Sequence, residues 1–159
     1  MTEGDHQTEI LPAAPGDLEP MVALARELGG TWFTPKAIEH MQIDLRLQHV
    51  LKATRGADVV GFVSWFVKEA VAQIGWMGVV PPLHRRGIGR KLIARLVEEL
   101  RGHGIRKLRV ETLGASVDYE PYERTRAFYH AMGFRDVRSL VQDNPECPEL
   151  LILEMDVPE

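Results

Sequence analysis

The chain has 159 residues, 45% of them apolar and 26% charged, which is the size and composition of one globular domain and excludes a disordered or fibrous chain. A formal charge of −4, from 19 basic against 23 acidic residues, argues against a general nucleic-acid binder. A single cysteine, Cys147, excludes an intrachain disulfide and a CxxC metal knuckle and agrees with a reducing cytoplasm, and no apolar run approaches the ~18 residues of a membrane span.

Met1–Gln7 has neither a basic nor an apolar leader region, so no signal peptide is expected. Thr8–Ala13 reads as a first strand. Asp17–Leu28 reads as a helix with Leu18, Met21, Val22, Ala25 and Leu28 on one face and Gly29–Gly30 as its stop. Pro35–Leu47 is a second helix, capped by Thr34 and opened by a proline suited to its first position. The apolar period then changes. His49–Thr54, Val59–Val67 and Val71–Val80 read as three strands joined by turns at Arg55–Asp58 and Lys68–Ala70, an antiparallel meander. After Gly87 a helix carries Ile88, Leu92, Ile93, Leu96, Val97 and Leu100 in one stripe, stopped by Gly102-His-Gly104. Ile105–Leu113 is a strand reached through that helical crossover, hence parallel to a neighbour. Tyr122–Met132 is a helix ended by Gly133, and Phe134–Val141 and Leu150–Val157 finish as strands. The order β-α-α-β-β-β-α-β-α-β-β describes an α/β mixed sheet in one domain, residues 1–159, with its core at about 8–157.

The segment Val79-Val-Pro-Pro-Leu-His-Arg-Arg-Gly-Ile-Gly-Arg90 lies between a strand and an amphipathic helix. Such a turn aims unpaired backbone N–H groups one way and adds the partial positive charge of the helix start, an arrangement suited to phosphate. Gly87 and Gly89 let phosphate oxygens approach the backbone, and Arg85, Arg86, Arg90 and Lys91 add charge for a polyanion. The same residues also read as a glycine-rich loop that merely starts a helix, with its arginines in solvent. Two sharper phosphate motifs are excluded: Gly89 is followed by Arg90-Lys91-Leu92, neither the Lys-Ser/Thr of a P-loop nor a third glycine of a dinucleotide fingerprint.

His84-Arg-Arg-Gly-Ile-Gly89, preceded by Val79-Val-Pro81, resembles the pyrophosphate motif Gln/Arg-x-x-Gly-x-Gly/Ala of the GNAT superfamily of acetyl-CoA-dependent N-acyltransferases. Ala127-Phe-Tyr-His-Ala-Met-Gly-Phe134 is similar to that family's second signature, at a matching distance. Two departures stand out: His84 occupies the place of Gln or Arg, and Tyr122 that of an Asn. Glu111–Gly114 with Tyr119–Tyr122 resembles a bacterial subgroup. The resemblance implies a mixed, mostly antiparallel six- to seven-stranded sheet with helices on both faces. It implies that His84, Arg85, Arg86, Gly87, Ile88, Gly89 and Arg90 cradle the pyrophosphate of acetyl-CoA, and that the backbone near Met77 and Val79 pairs with the pantetheine arm. Gly75 and Gly78 in that strand suit a bulge or close backbone approach, and equally a strand packed against a large neighbour.

By the same resemblance Tyr129 protonates the departing thiolate, a phenol of pKa ~10 being near an alkyl thiol. Read from the residues alone, Phe128 and Tyr129 are also core aromatics on a helix. Glu111 is the first candidate for the base, followed by Glu69, Glu39 and Asp118, each of which also reads as a solvated surface acid. Trp32, Phe33, Trp65, Tyr119 and Tyr122 are candidate acceptor contacts or packing residues. No metal is expected, since the six histidines show neither HxxxH nor HxH spacing. Ser116, in Gly114-Ala-Ser-Val-Asp118, lacks the second glycine of a nucleophile elbow, and Cys147 has no activator beside it in sequence. The expected function is acetyl transfer from acetyl-CoA to a primary amine, on a small molecule or a peptide, by direct attack in a ternary complex, in the cytoplasm. A non-catalytic coenzyme A module, another acyl-CoA donor and a hydroxyl acceptor are the alternatives. No nucleic acid or membrane partner is expected, and a homodimer is expected by family analogy.

Overall fold

The computed structural model describes residues 7–159, so the leader reading of Met1–His6 lies outside the described residues. Among these residues the elements follow the expected order: β1 (Glu9–Pro12), α1 (Leu18–Glu27), α2 (Pro35–Leu47), β2 (His49–Arg55), β3 (Asp58–Lys68), β4 (Val71–Val79), α3 (Ile88–Leu100), β5 (Lys107–Leu113), α4 (Glu120–Ala131), β6 (Arg135–Val141) and β7 (Glu149–Asp156). The seven strands are ordered β1-β2-β3-β4-β5-β7-β6, the upper end of the expected count. β1–β2, β2–β3, β5–β7 and β6–β7 pair antiparallel. β4 and β5 pair parallel, as the α3 crossover requires. The mixed, mostly antiparallel sheet is therefore present.

Boundary differences have local causes. Pro15–Asp17 forms a 3-10 turn, so α1 begins one residue later than expected. The Asp17 carboxylate accepts the Ala14 N–H at 2.7 Å and the Lys52 ammonium at 2.9 Å. β5 starts at Lys107 because the Arg106 N–H turns to the Ala70 carbonyl at 3.0 Å. α4 starts at Glu120, two residues early, since Pro121 suits a first helical turn. Glu69 and Ala70, between β3 and β4, both hold left-handed φ (53° and 65°), the conformation a two-residue hairpin turn demands even without glycine.

The chain divides into two compact units. One comprises residues up to Phe66 together with Gly75–Glu99. Its core joins Met21, Leu24 and Ala25 of α1 and its C-cap residue Leu28 to Met41 and Leu45 of α2 and Phe62 of β3. The α1 residues recur at helical spacing, and Thr34 caps α2 by accepting the Ala37 N–H at 3.1 Å. Gly78 of β4 lies against this core: a Cβ there would meet Leu28 at 3.0 Å and Phe62 at 3.3 Å. The last turn of α2 also grips β4. Asp44 accepts the indole N–H of Trp76 at 2.8 Å, and the Ser64 hydroxyl donates to Gln48 at 2.8 Å while accepting the Trp76 backbone N–H at 2.9 Å. A Cβ on Gly75 would overlap the Gln48 carboxamide. Both glycines pack closely against side chains, those of Gln48, Leu24, Leu28 and Phe62, and the Gly78 carbonyl also approaches Gly61 of β3 closely.

The other unit comprises Val67–Ile74 and Leu100–Glu159. Leu108 and Val110 of β5, Leu151 and Leu153 of β7, Tyr129 of α4 and Phe134 are buried in it. Arg126 of α4, only 7% exposed, donates to the Leu113 carbonyl at 2.7 Å and so ties α4 to the end of β5. Glu149 ties the following loop. Its carbonyl accepts the Gly114 N–H at 2.9 Å, and its carboxylate accepts the Ser116 N–H at 3.0 Å and the Ser139 hydroxyl at 2.8 Å. A Cβ on Gly114 would occupy the carboxylate's place.

Gly75→Ala is expected to expel the Gln48 carboxamide and leave the buried Ser64 hydroxyl only the long 3.5 Å bond to the Trp76 carbonyl, a loss of about 1–3 kcal/mol read as a lower urea midpoint at unchanged slope. The Ser116 N–H and the Ser139 hydroxyl hold the Glu149 carboxyl below its ordinary 4.5. Its contribution to stability is therefore complete above that value and is lost as the pH falls through the depressed one. Thermal melts between about pH 5 and 3 should show a shallower acid decline in Glu149→Gln than in the parent.

Candidate active site

The turn from β4 into α3 is built by short-range bonds. Pro81–Leu83 form a 3-10 turn in which Leu83 N–H reaches the Val80 carbonyl at 3.0 Å and His84 N–H the Pro81 carbonyl at 3.1 Å. The His84 side chain folds back, its Nε2 2.7 Å from the Val79 carbonyl and its ring against the Trp32 indole at 5.2 Å. The His84 ring closes the end of β4, and its backbone lies in the turn that leads to α3. Arg85 (φ 64°) and Gly87 (φ 80°) then take left-handed backbone, which swings the chain round to enter the helix.

The first bond of the α3 ladder runs from the Lys91 N–H to the Gly87 carbonyl at 3.1 Å, so the amides of Ile88, Gly89 and Arg90 precede the ladder and face out of the helix end. Ile88, Leu92, Ile93, Leu96 and Leu100 are buried and anchor the helix. Gly61 of β3 gives this anchor room: a Cβ there would meet Ile88 at 3.3 Å and Leu92 at 3.4 Å. Arg85, Arg86, Arg90 and Lys91 are exposed, and none forms an ion pair with a described residue. Donors, helix dipole and four uncommitted cations thus meet in one place, an arrangement suited to an anion.

Met77 and Val79 lie on β4 beyond its register with β5, which covers Val71–Gln73 against Lys107–Arg109. Trp32 and Phe33 pack on the α1–α2 core, and Phe33 meets Trp76 edge-on at 5.9 Å. Trp65 is buried and stacked on His49 at 5.4 Å. For these three aromatics the packing reading holds.

In the second unit Tyr129 is 6% exposed, with its ring between Phe128 and Phe134, each at 5.3 Å. Burial drives its phenol pKa well above the ordinary range, with Tyr122 adding to the effect. The ordinary phenol value near 10, on which the expected match with an alkyl thiol rests, is thereby corrected, because desolvation disfavours the phenolate. Tyr119 and Tyr122 pair at 5.9 Å, and burial raises the Tyr122 pKa, with Cys147 next in influence. Burial likewise raises the Cys147 thiol, with Glu111 and Glu149 acting the same way, so this cysteine is a weak nucleophile. Glu111 is exposed between buried Val110 and Thr112, as strand alternation requires. Glu39, Glu69 and Asp118 are exposed. Tyr119, Tyr122, Tyr129, Cys147 and Glu111 are thus gathered in one unit.

Sequence reasoning missed Asp44, Gln48, Ser64, Arg126 and Glu149. Two signals were present: Asp44 and Gln48 are one helical turn apart, and Ser64 is the lone hydroxyl of an apolar strand. Glu149 and Gly114 are far apart in sequence and give no local signal. Among the described residues no helix is long and apolar enough to cross a membrane, and no group of three or more His, Cys, Asp or Glu side chains is placed to hold a metal.

Known structures share this architecture. A protein from Desulfovibrio desulfuricans assigned to the GNAT acetyltransferases superposes with a TM-score of 0.83 at 24% identity, over 96% of this chain and 100% of its own. The ribosomal-protein-S18-alanine N-acetyltransferase of Escherichia coli gives 0.78 at 16% identity, over 96% of each chain. An aminoglycoside 6′-N-acetyltransferase complexed with coenzyme A gives 0.75 at 15% identity, over 95% of this chain and 98% of its own. At these identities the likeness is one of fold. A search of curated protein sequences finds no match. The sequence model of the acetyltransferase (GNAT) family matches residues 20–134, a stretch that contains both the β4–α3 turn and the Tyr129 segment. With its sheet, crossover and glycine turn in place, the chain belongs to the acetyltransferase (GNAT) family.

Proposed function

We propose that the protein transfers an acetyl group from acetyl-CoA to a primary amine by direct attack in a ternary complex. The observation that carries this reading is the start of α3, where the amides of Ile88, Gly89 and Arg90 and four exposed cations form an anion site directly after a strand. The pyrophosphate is read to lie on Gly87, Ile88, Gly89 and Arg90, with the backbone of His84 and the side chains of Arg85 and Arg86 around it. The pantetheine arm is read to follow the backbone of β4 at Met77 and Val79. Residues 1–159 are read as one domain, since the family match runs through both compact units.

Acetyl-CoA supplies the thioester. The neutral amine attacks the carbonyl carbon, a C–N bond forms, and the C–S bond breaks. The thiolate then takes a proton from the Tyr129 hydroxyl. With its pKa raised by burial, this phenol stays protonated throughout the neutral range and remains a donor. Glu111 is read as the base, taking the amine proton through water, in keeping with its exposure. Similar structures carry the names of enzymes for a ribosomal-protein alanine and for an aminoglycoside, which supports an amine acceptor on either a protein or a small molecule.

Saturating acetyl-CoA is expected to raise the melting temperature, by the equivalent of about 2.7 kcal/mol at a hundred times the dissociation constant. No shift at millimolar coenzyme would refute the reading. Gly89→Trp should fill the cradle and raise KM for acetyl-CoA about tenfold or more in a free-thiol release assay across an amine panel. Tyr129→Phe should lower kcat about 10²-fold or more while leaving coenzyme affinity intact. Turnover of Tyr129→Phe at the parental rate would remove this residue from the mechanism.

A further inference from the structure

A serine lies at the centre of an otherwise apolar strand. Ser64 is 0% exposed and stands in the run Gly61-Phe-Val-Ser-Trp-Phe-Val67 of β3. A buried hydroxyl costs free energy unless both its donor and its acceptor capacity are used. Ser64 uses both: it accepts the Trp76 backbone N–H at 2.9 Å and donates to Gln48 Oε1 at 2.8 Å. Gln48 is the C-cap residue of α2, and Asp44, one turn earlier on the same helix face, accepts the Trp76 indole N–H at 2.8 Å. The backbone and the side chain of one β4 residue are therefore both held from α2, the first through Ser64. Gly75 leaves the space that the Gln48 carboxamide occupies.

The position of the grip along β4 gives it a use. Register with β5 ends at Gln73, and Trp76 adjoins Met77, on the stretch of backbone read above as the seat of the pantetheine arm. Ladder bonds on both edges normally fix the peptide planes of a strand. Past Gln73 the β5 edge carries no register, and on the β3 side the Ser64 hydroxyl holds the plane before Trp76 beside the pairing of β3 with β4. A rotation of that plane would re-aim the neighbouring amides, and polarisation of an acyl carbonyl depends steeply on such aim.

We infer that Asp44, Gln48 and Ser64 form a positioning network that sets the β4 backbone at Trp76 and so governs how strongly the bound acetyl carbonyl is polarised; this rests on the proposed acetyl transfer. None of the three touches coenzyme or acceptor in this reading. A purely architectural network would affect stability and leave the carbonyl unchanged, and this difference separates the two roles.

The test uses the whole protein and acetyl-CoA labelled with ¹³C at the acetyl carbonyl. The carbonyl resonance of the bound ligand reports polarisation, and calorimetry reports affinity, with no acceptor needed. The parent should bind and shift the carbonyl downfield of the free thioester. Ser64→Ala and Gln48→Ala should bind within about twofold of the parent yet lose roughly half or more of that shift. Asp44→Asn, which keeps an oxygen acceptor for the indole, should retain the shift that Asp44→Ala diminishes. Gln48 is only half-buried, so its variant decides the matter if Ser64→Ala fails to fold. A full shift in both Ser64→Ala and Gln48→Ala, or a parent that binds without any shift, overturns the inference while leaving coenzyme binding intact. A parent that does not bind acetyl-CoA at all overturns the acetyl-transfer reading itself, and the network's role with it.

Discussion

Past Gln73, β4 has no β5 residue in register, and from Gly75 it is held by its neighbour β3 and by side chains of α2 and β3. This constraint organises the first unit. The strand must lie close enough to α1 and α2 for Gly78 to meet Leu28 and for Gly75 to admit Gln48, and any larger residue would push it away. The strand end is in turn closed by His84 on the Val79 carbonyl, and the chain enters α3 through two left-handed residues. Each feature depends on the one before, so the amides at the head of α3 are aimed by a chain of contacts that begins at the α2 C-terminus.

Electrostatics acts on this frame locally. The chain as a whole carries −4, yet Arg85, Arg86, Arg90 and Lys91 stand together at the positive end of the α3 dipole without ionic partners among the described residues. Elsewhere several basic residues are paired, as in Lys52 with Asp17, Arg109 with Glu154, and Lys107 with Asp156. An uncommitted cluster of one sign costs self-repulsion that an arriving polyanion relieves. The acetyl-CoA of the proposed reaction is such a polyanion.

The second unit solves a different problem, that of holding a loop. Between β5 and α4 the backbone has no ladder to join, and Glu149 and Arg126 take over from it. One supplies carbonyl and carboxylate to Gly114 and Ser116, the other a guanidinium to Leu113. The tyrosines at the head of α4 are set by these bonds and by burial, and the desolvation that hides Tyr129 is what raises its pKa.

Much of this was legible in the residues. Period changes marked every helix and strand within about two residues, because burial on one face imposes 3.6 or 2.0 spacing whatever the partner. The glycine turn and the Ala127–Phe134 segment were legible because each is a local conformational demand written in consecutive residues. The roles of Ser64, Gln48, Asp44, Glu149 and Arg126 were decided only by tertiary structure: their partners lie elsewhere in sequence, and a hydrogen bond is satisfied by proximity in space, which one strand or helix read alone does not contain. The same holds for the phenol of Tyr129, whose ordinary pKa is a property of the residue and whose raised one is a property of the walls around it.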